Sequence, residues 1–333
     1  MDLLDPLPCS LRQLQYLLAV ADLRRFGRAA ARCHVSQPSL SAQVAQVEDA
    51  LGVRIFERNR RAVRVTSAGA PVIELARRVL ATTRELVDIA REQADPFAGT
   101  LRVGVIPTVC PYLLPAVTVV LRKRWPRLTF VWHEDKTPAL VARLAAGGLD
   151  AAILAKDRQT AGLETVELGH DPFVLAAPPD HPLVRSSKPL SPAALEGARV
   201  LLLDDGHCFR DQALAICTKS GADEAEYRAT SLTTLVQMAV NTEGVTLLPV
   251  MALPVENRAG QLATRPFVRP TPERTIVLAW RAGSVRQRTL AAVGDAVRAA
   301  FVVTPPKRPS RRGAGPARAT QPGTRSASGS TPA

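Results

Sequence analysis

Apolar residues recur with a helical period from the start of the chain. Leu11, Leu14, Leu17, Leu18 and Ala21 define a first helix; Phe26, Ala29, Ala30 and Cys33 form one face of a short second one. His34-Val35 reads as a tight turn. Ser36 is then an N-cap, with Pro38 in the first helical turn, where its missing N–H is harmless. Leu40, Val44, Val47 and Leu51 line the buried face of a third helix, which Gly52 ends. Val53 to Arg58 and Arg60 to Thr66 alternate across a turn at Asn59, which predicts a two-stranded wing with arginines facing out. Helix, helix, turn, helix and basic wing predict a winged helix-turn-helix over 1–66. The start of the third helix, Ser36-Gln37-Pro38-Ser39 and then Gln43, offers short neutral hydrogen-bonding groups suited to base edges in a major groove. Arg54 and Arg58 add wing cations, Arg58 directed to phosphate or the minor groove.

Residues 67–98 form the second unit. Val72, Ala76, Val79, Thr83, Leu86 and Ala90 alternate gaps of four and three, with Ile73, Leu80 and Val87 beside them. This is a heptad seam, and it predicts a dimerisation helix; the simpler alternative is a helix packed on its own domain. From 99 to 303 strand-like and helix-like segments alternate. Strands are expected at 101–105, 128–133, 151–154, 173–177, 199–203, 245–248 and 275–280. Helices are expected at 112–124, 137–146, 211–218, 232–241 and 287–301. The alternation implies parallel βαβ units and a ligand site beyond the carboxyl ends of strands, where Ile106-Pro107-Thr108 falls.

Composition narrows the partners. Of 333 residues, 46% are hydrophobic and 22% charged, which fits a globular chain, and the net charge is +13. The charge is uneven: 1–66 carries +4 and the tail 304–333 carries +6 with no acid. A polyanionic partner is the expectation. The tail is rich in Pro, Gly, Ser and Ala and has no aromatic residue, so disorder is expected there. No run is long and apolar enough to cross a membrane, and Met1 to Ser10 lacks a signal-peptide layout, so a cytoplasmic location and reduced thiols are expected.

The cysteine segment carries the sharpest chemistry. Asp205-Gly206 marks a turn, and Cys208 follows at the start of a helix between His207 and Arg210. A helix N-terminus and a nearby cation both favour thiolate, the form that attacks peroxide to give a sulfenic acid. Cys217 lies nine residues on. In a continuous helix that is a rise of about 13.5 Å and two and a half turns, so the two side chains point to opposite faces. A disulfide needs Cα atoms within about 7 Å, and its formation would require unwinding. The same spacing also suits two inert buried cysteines on one helix. No zinc-ligand spacing is present and no cofactor is implied.

Phe26 to Glu48, with His34-Val35-Ser36-Gln37-Pro38-Ser39-Leu40-Ser41, and Leu51-Gly52-Val53-x-Ile55-Phe56-Glu57-Arg58 resemble the N-terminal domain of LysR-type transcriptional regulators. Ile106-Pro107-Thr108-Val109, Asp205-Gly206-His207-Cys208-Phe209-Arg210-Asp211-Gln212-Ala213 and Arg228-Ala229-Thr230-Ser231-Leu232 are similar to the peroxide-sensing activators within that family. The resemblance spans about 10–303. It implies an α/β regulatory domain like a periplasmic binding protein, with two α/β subdomains. It implies that Cys208 is the peroxidatic cysteine and Cys217 its resolving partner. It also implies that Thr108, Thr137, His207 and Arg274 bind or polarise hydrogen peroxide. Implied partners are double-stranded promoter DNA, a second copy of the chain in a dimer of dimers, RNA polymerase and a thiol reductant system. Two other functions are compatible with parts of the chain: a LysR-type regulator with a small organic anion between its subdomains, and a thiol peroxidase, against which the DNA-binding unit argues. The chain departs from the pattern in about eight residues before the first helix, in its basic tail, and in Cys110, close to Thr108.

Overall fold

The computed structural model describes residues 7–58, 63–92, 95–242 and 244–303. The expected tail and the wing turn at Asn59 lie outside them. The first unit contains α1 (Leu11–Leu23), α2 (Phe26–Cys33), α3 (Gln37–Leu51), β1 (Phe56–Arg58) and β2 (Val63–Val65). His34 closes α2 in the left-handed conformation at φ 56°, and the Ser36 hydroxyl accepts from the Ser39 N–H at 3.3 Å to start α3. Leu17, Val20, Leu40, Val44 and Val47 are fully buried together. The strands pair antiparallel, Phe56 opposite Val65. Glu48 Oε1 accepts from the N–H groups of Ile55 and Phe56 at 2.7 and 2.9 Å, fixing the wing to α3.

Helix α4 (Gly69–Glu92) leaves the wing where Gly69 packs on the Ile55 backbone; a Cβ there would lie 2.5 Å from the Ile55 carbonyl oxygen. The apolar seam differs from the expected one. Ile73 and Ala76 are buried against the first unit, with Val72 and Leu80 beside them. The stripe left open is Leu75, Val79, Leu86 and Ile89, with Thr82 between, at gaps of four and three. The open stripe shares Val79 and Leu86 with the expected seam and replaces Ala76, Thr83 and Ala90 by the preceding positions, because α4 carries two apolar faces that the sequence does not separate.

The regulatory unit comprises β3 (Gly99–Val105), α5 (Cys110–Arg124), β4 (Leu128–Glu134), α6 (Thr137–Ala145), β5 (Ala151–Ala155), β6 (Leu163–Ala177), β7 (Arg199–Leu203), α7 (Cys208–Ser220), β8 (Asp223–Ala229), α8 (Leu232–Val240), β9 (Val245–Pro249), α9 (Leu253–Glu256), β10 (Ala263–Pro266), β11 (Glu273–Arg281) and α10 (Gln287–Ala300). The strands run in the order β4-β3-β5-β11-β6-β9-β7-β8, with β10 also on β6. The expected parallel units are present, β3 with β4 and β5 and β7 with β8 and β9, while β11 and β6, for which no direction was expected, run antiparallel to their neighbours.

Strand β6 belongs to two subdomains. Leu163 to Pro172 pairs with β11, and Phe173 to Ala177 pairs with β9 and β10. Each subdomain has its own apolar core, subdomain I around Val103, Ile153 and Leu278 and subdomain II around Leu175, Leu202 and Leu247. Among the described residues, no helix is long and apolar enough to cross a membrane.

Candidate redox and DNA-binding sites

Helix α7 is continuous from Cys208 to Ser220, so it holds both cysteines at the expected separation of about 13.5 Å along its axis. Their side chains enter different cores. Cys208 packs with subdomain I beside Met251, and Cys217 is fully buried in subdomain II with Ala213. Both thiols are free.

The turn before α7 needs Gly206, which sits at φ +86° with the Lys136 side chain 3.1 Å from where a Cβ would be. Lys136, preceding α6, donates to the Asp205 carbonyl at 2.6 Å and pairs with Asp204 at 3.4 Å, so one side chain ties subdomain I to the turn. Arg210 is buried and bidentate on Glu224 at 2.8 and 3.0 Å, with Asp205 at 2.8 Å. Arg228 joins the same two carboxylates.

Arg274 stands where the chain crosses between subdomains. Its Nε donates to Asp171 Oδ2 at 3.0 Å, Nη1 to Thr108 Oγ1 at 2.7 Å and Nη2 to the Thr108 carbonyl at 2.9 Å. Asp171 Oδ1 accepts from the Met251 N–H at 3.0 Å. Arg274 and Asp171 are both fully buried, and the guanidinium lies 5.6 Å from the Phe209 ring centre.

Burial pushes the Cys208 thiol up, while Arg274, the Thr137 hydroxyl and the Phe209 backbone N–H at the start of α7 favour its anion; the net direction is up. The cation expected beside this thiol was Arg210 or His207. It is Arg274, because Arg210 is committed to carboxylates and burial pushes the His207 imidazole down towards neutrality. Thr137 Oγ1 and His207 Nε2 are buried without a nitrogen or oxygen partner. Two unsatisfied polar atoms, one at the start of α6 and one at the N-cap of α7, are costly unless a small polar molecule visits them. Thus Thr137 and Arg274 act on Cys208, Thr108 joins through Arg274, and His207 precedes Cys208 with its imidazole near Lys136 and Asp204. Cys110 is different: burial and a hydrogen bond to Glu134 push its thiol up to about 12, which disfavours reaction.

The bacterial regulatory helix-turn-helix protein, lysR family, matches residues 11–70, and the LysR substrate binding domain matches residues 94–302. The chain belongs to the LysR family. Among the relatives of this LysR-family chain is the DNA-binding transcriptional dual regulator OxyR of Escherichia coli (strain K12), 42% identical over 292 residues, 87% of this chain and 95% of the relative. A full-length OxyR variant from Pseudomonas aeruginosa matches in structure with TM-score 0.70 and 36% identity, covering 87% of this chain and 94% of that one. A cysteine-to-serine OxyR variant of Corynebacterium glutamicum with hydrogen peroxide bound matches with TM-score 0.60 and 34% identity, covering 89% and 95%.

On the DNA-binding side of this LysR-family chain, Ser36, Gln37, Pro38 and Ser39 are exposed at the start of α3, Gln43 is half-buried one turn on, and Arg54 is exposed before the wing. Arg58 ends β1. Sequence reasoning missed Asp171, Met251 and Lys136. A signal for Asp171 existed: it is an acid at the mouth of the apolar run Phe173 to Ala177.

Proposed function

We propose that this LysR-family chain is a hydrogen-peroxide-sensing transcription activator of antioxidant genes, a regulator rather than a peroxidase, acting in the cytoplasm. The observation that carries the reading is the start of α7, where the buried Cys208 thiol faces Arg274 and Thr137 and where two buried polar groups, the Thr137 hydroxyl and, on the residue before Cys208, His207 Nε2, have no nitrogen or oxygen partner. Peroxide hydrogen-bonds to those two groups and to Arg274 or Thr108. The Cys208 sulfur attacks one peroxide oxygen, the O–O bond breaks, and the thiol proton leaves with the departing hydroxide as water. Cys208 becomes a sulfenic acid. The Cys217 thiol then displaces that hydroxyl as a second water, and the Cys208–Cys217 disulfide forms.

Continuous α7 keeps the two sulfurs in separate cores, so the second step requires the segment from Asp205 to about Ser220 to unwind. The repacked segment then rotates subunits and re-spaces the DNA-binding units. In this reading 1–66 reads DNA, 67–98 dimerises, 99–303 senses, and two dimers associate. The open Leu75-Val79-Leu86-Ile89 stripe on α4 supports pairing of two linker helices. Gln37, Ser39 and Gln43 meet base edges, with Ser36 and Pro38 setting the helix start and Arg54 and Arg58 on the backbone. RNA polymerase is the activated partner, and a thiol reductant resets the disulfide.

Peptide mapping after micromolar peroxide, with promoter footprinting of reduced and oxidised protein, tests this. One Cys208–Cys217 bridge per chain and a footprint that shifts only when Cys208 is present are expected. A Cys208–Cys110 bridge, or a footprint blind to peroxide, overturns it. Replacing Gln37 by Ala is expected to relax base preference by about 1–3 kcal/mol at one position.

A further inference from the structure

A cleft of about 690 Å³ lies between the DNA-binding half and subdomain I, apart from the redox pocket. Four parts of the chain wall it: α1 with Asp22, the end of α2 with Arg32, helix α4 with Arg77 and Arg84, and subdomain I with Arg102, His133 and Arg143. The walls are held together independently of any ligand. Glu85 on α4 pairs with Arg281 on β11, and Gly147 lies against Ala81, where a Cβ would come within 2.3 Å of the alanine's own.

The charge of the lining is unbalanced. Its two acids, Asp22 and Glu74, are both engaged by Arg77. Among the described residues, Arg32, Arg84, Arg102 and Arg143 have no carboxylate partner. The crowding registers on His133, whose imidazole is pushed down by burial and then by the Arg143 and Arg102 guanidinium groups. Cations gathered from separate elements repel one another unless something negative sits between them. The tail cannot serve, since 304–333 is itself basic. The DNA-reading residues Gln37, Ser39 and Gln43 do not line the cleft. Its volume falls in the usual range for small-molecule sites, and guanidinium forks match oxyanions bidentately.

We propose that this cleft binds a small multivalent oxyanion, which bridges α4 and subdomain I through Arg84 on one wall and Arg102 and Arg143 on the other. The site is separate from the inter-subdomain cleft and needs neither cysteine. Because the ligand touches both halves, its binding free energy opposes any movement of the linker helix away from the sensor.

Titration calorimetry of the full reduced chain tests it, with pyrophosphate, ATP and citrate each added at constant ionic strength. Saturable binding of at least one probe, one per chain, is expected; the ranking of the three separates phosphate from carboxylate ligands. Arg102→Gln with Arg143→Gln weakens it at least about tenfold, and the exposed Arg84→Gln alone about threefold, from lost charged hydrogen bonds. Arg258→Gln, remote and exposed, leaves it unchanged. No saturable binding of any probe, equal loss in Arg258→Gln, or loss from one wall only overturns the proposal. Displacement of the probe by operator DNA would overturn it too, by assigning the cleft to nucleic acid. Arg84→Gln keeps the test decisive if the double variant unfolds.

Discussion

The two cysteines of α7 sit on one helix but in opposite surroundings. Cys208 lies at the seam between subdomains, beside a buried ion pair, two polar atoms without partners and a turn strung on Lys136. Cys217 lies among Ala213 and the other apolar side chains of subdomain II, with burial first and the Glu224 carboxylate second among the groups that keep it a thiol. A reactive thiol needs polar groups that are not fully committed; a thiol held in reserve needs a filled core that hides it. The helix between them keeps both conditions at once.

The most severe way to break the comparison is to remove its polar end. Cys208→Ser is expected to abolish both the sulfenic acid, read with a dimedone probe, and the disulfide, read by mass, while Cys110 stays unmodified. Asp171→Asn leaves the Arg274 guanidinium buried without its carboxylate. A loss of about 3–5 kcal/mol in urea denaturation is expected, since breaking one side of a buried pair leaves an uncompensated charge. A loss under about 1 kcal/mol would show that solvent reaches the pair.

The apolar end is gentler. Cys217→Ala is expected to cost about 1 kcal/mol of stability, and to leave the sulfenic acid trappable but no bridge formed. Tyr112 on α5 donates to Glu256 on α9 at 2.7 Å, a second link between subdomains. Tyr112→Phe is expected to cost about 0.5–1.5 kcal/mol and to quicken disulfide formation, measured by stopped-flow quench.

The smallest effect is a pH dependence. Burial raises the Cys217 thiol from 9.0 to about 11. The folded state therefore keeps a proton that the unfolded chain loses, so stability falls as pH rises from 9 to 11. In Cys217→Ala that decline is expected to flatten, as measured by urea midpoints across the range. An unchanged slope would move the titrating group elsewhere.

The comparison was half legible in the sequence. The separation of the cysteines follows from helical geometry, and α7 obeys it. Helices α1 to α3 and the wing follow from period, caps and turn chemistry. The polar end was less visible. Thr108, Asp171 and Arg274 meet across 103 and 166 residues, and no local pattern encodes that meeting. Arg274 was reached only through family resemblance. Strand β8 (Asp-Glu-Ala-Glu-Tyr-Arg-Ala) is a polar edge with one buried residue, so it shows no apolar alternation. Strand β10 is four residues ending in proline. The antiparallel runs escaped notice because β6 changes subdomain in mid-strand, and its polar residues Glu167 and His170 interrupt the apolar signal.

The unbroken helix between the cysteines has a consequence in time. In the proposed reaction, oxygen transfer at Cys208 is a local event, whereas the bridge to Cys217 waits for turns of helix to open, and helix loss is cooperative rather than gradual. The sulfenic acid must outlast that wait. On that proposal a brief pulse of peroxide is erased when a passing thiol reaches the sulfenic acid before the bridge closes, and a sustained one is recorded. The length of α7 thus sets a filter: a molecule built this way responds to the duration of an oxidant as well as to its amount.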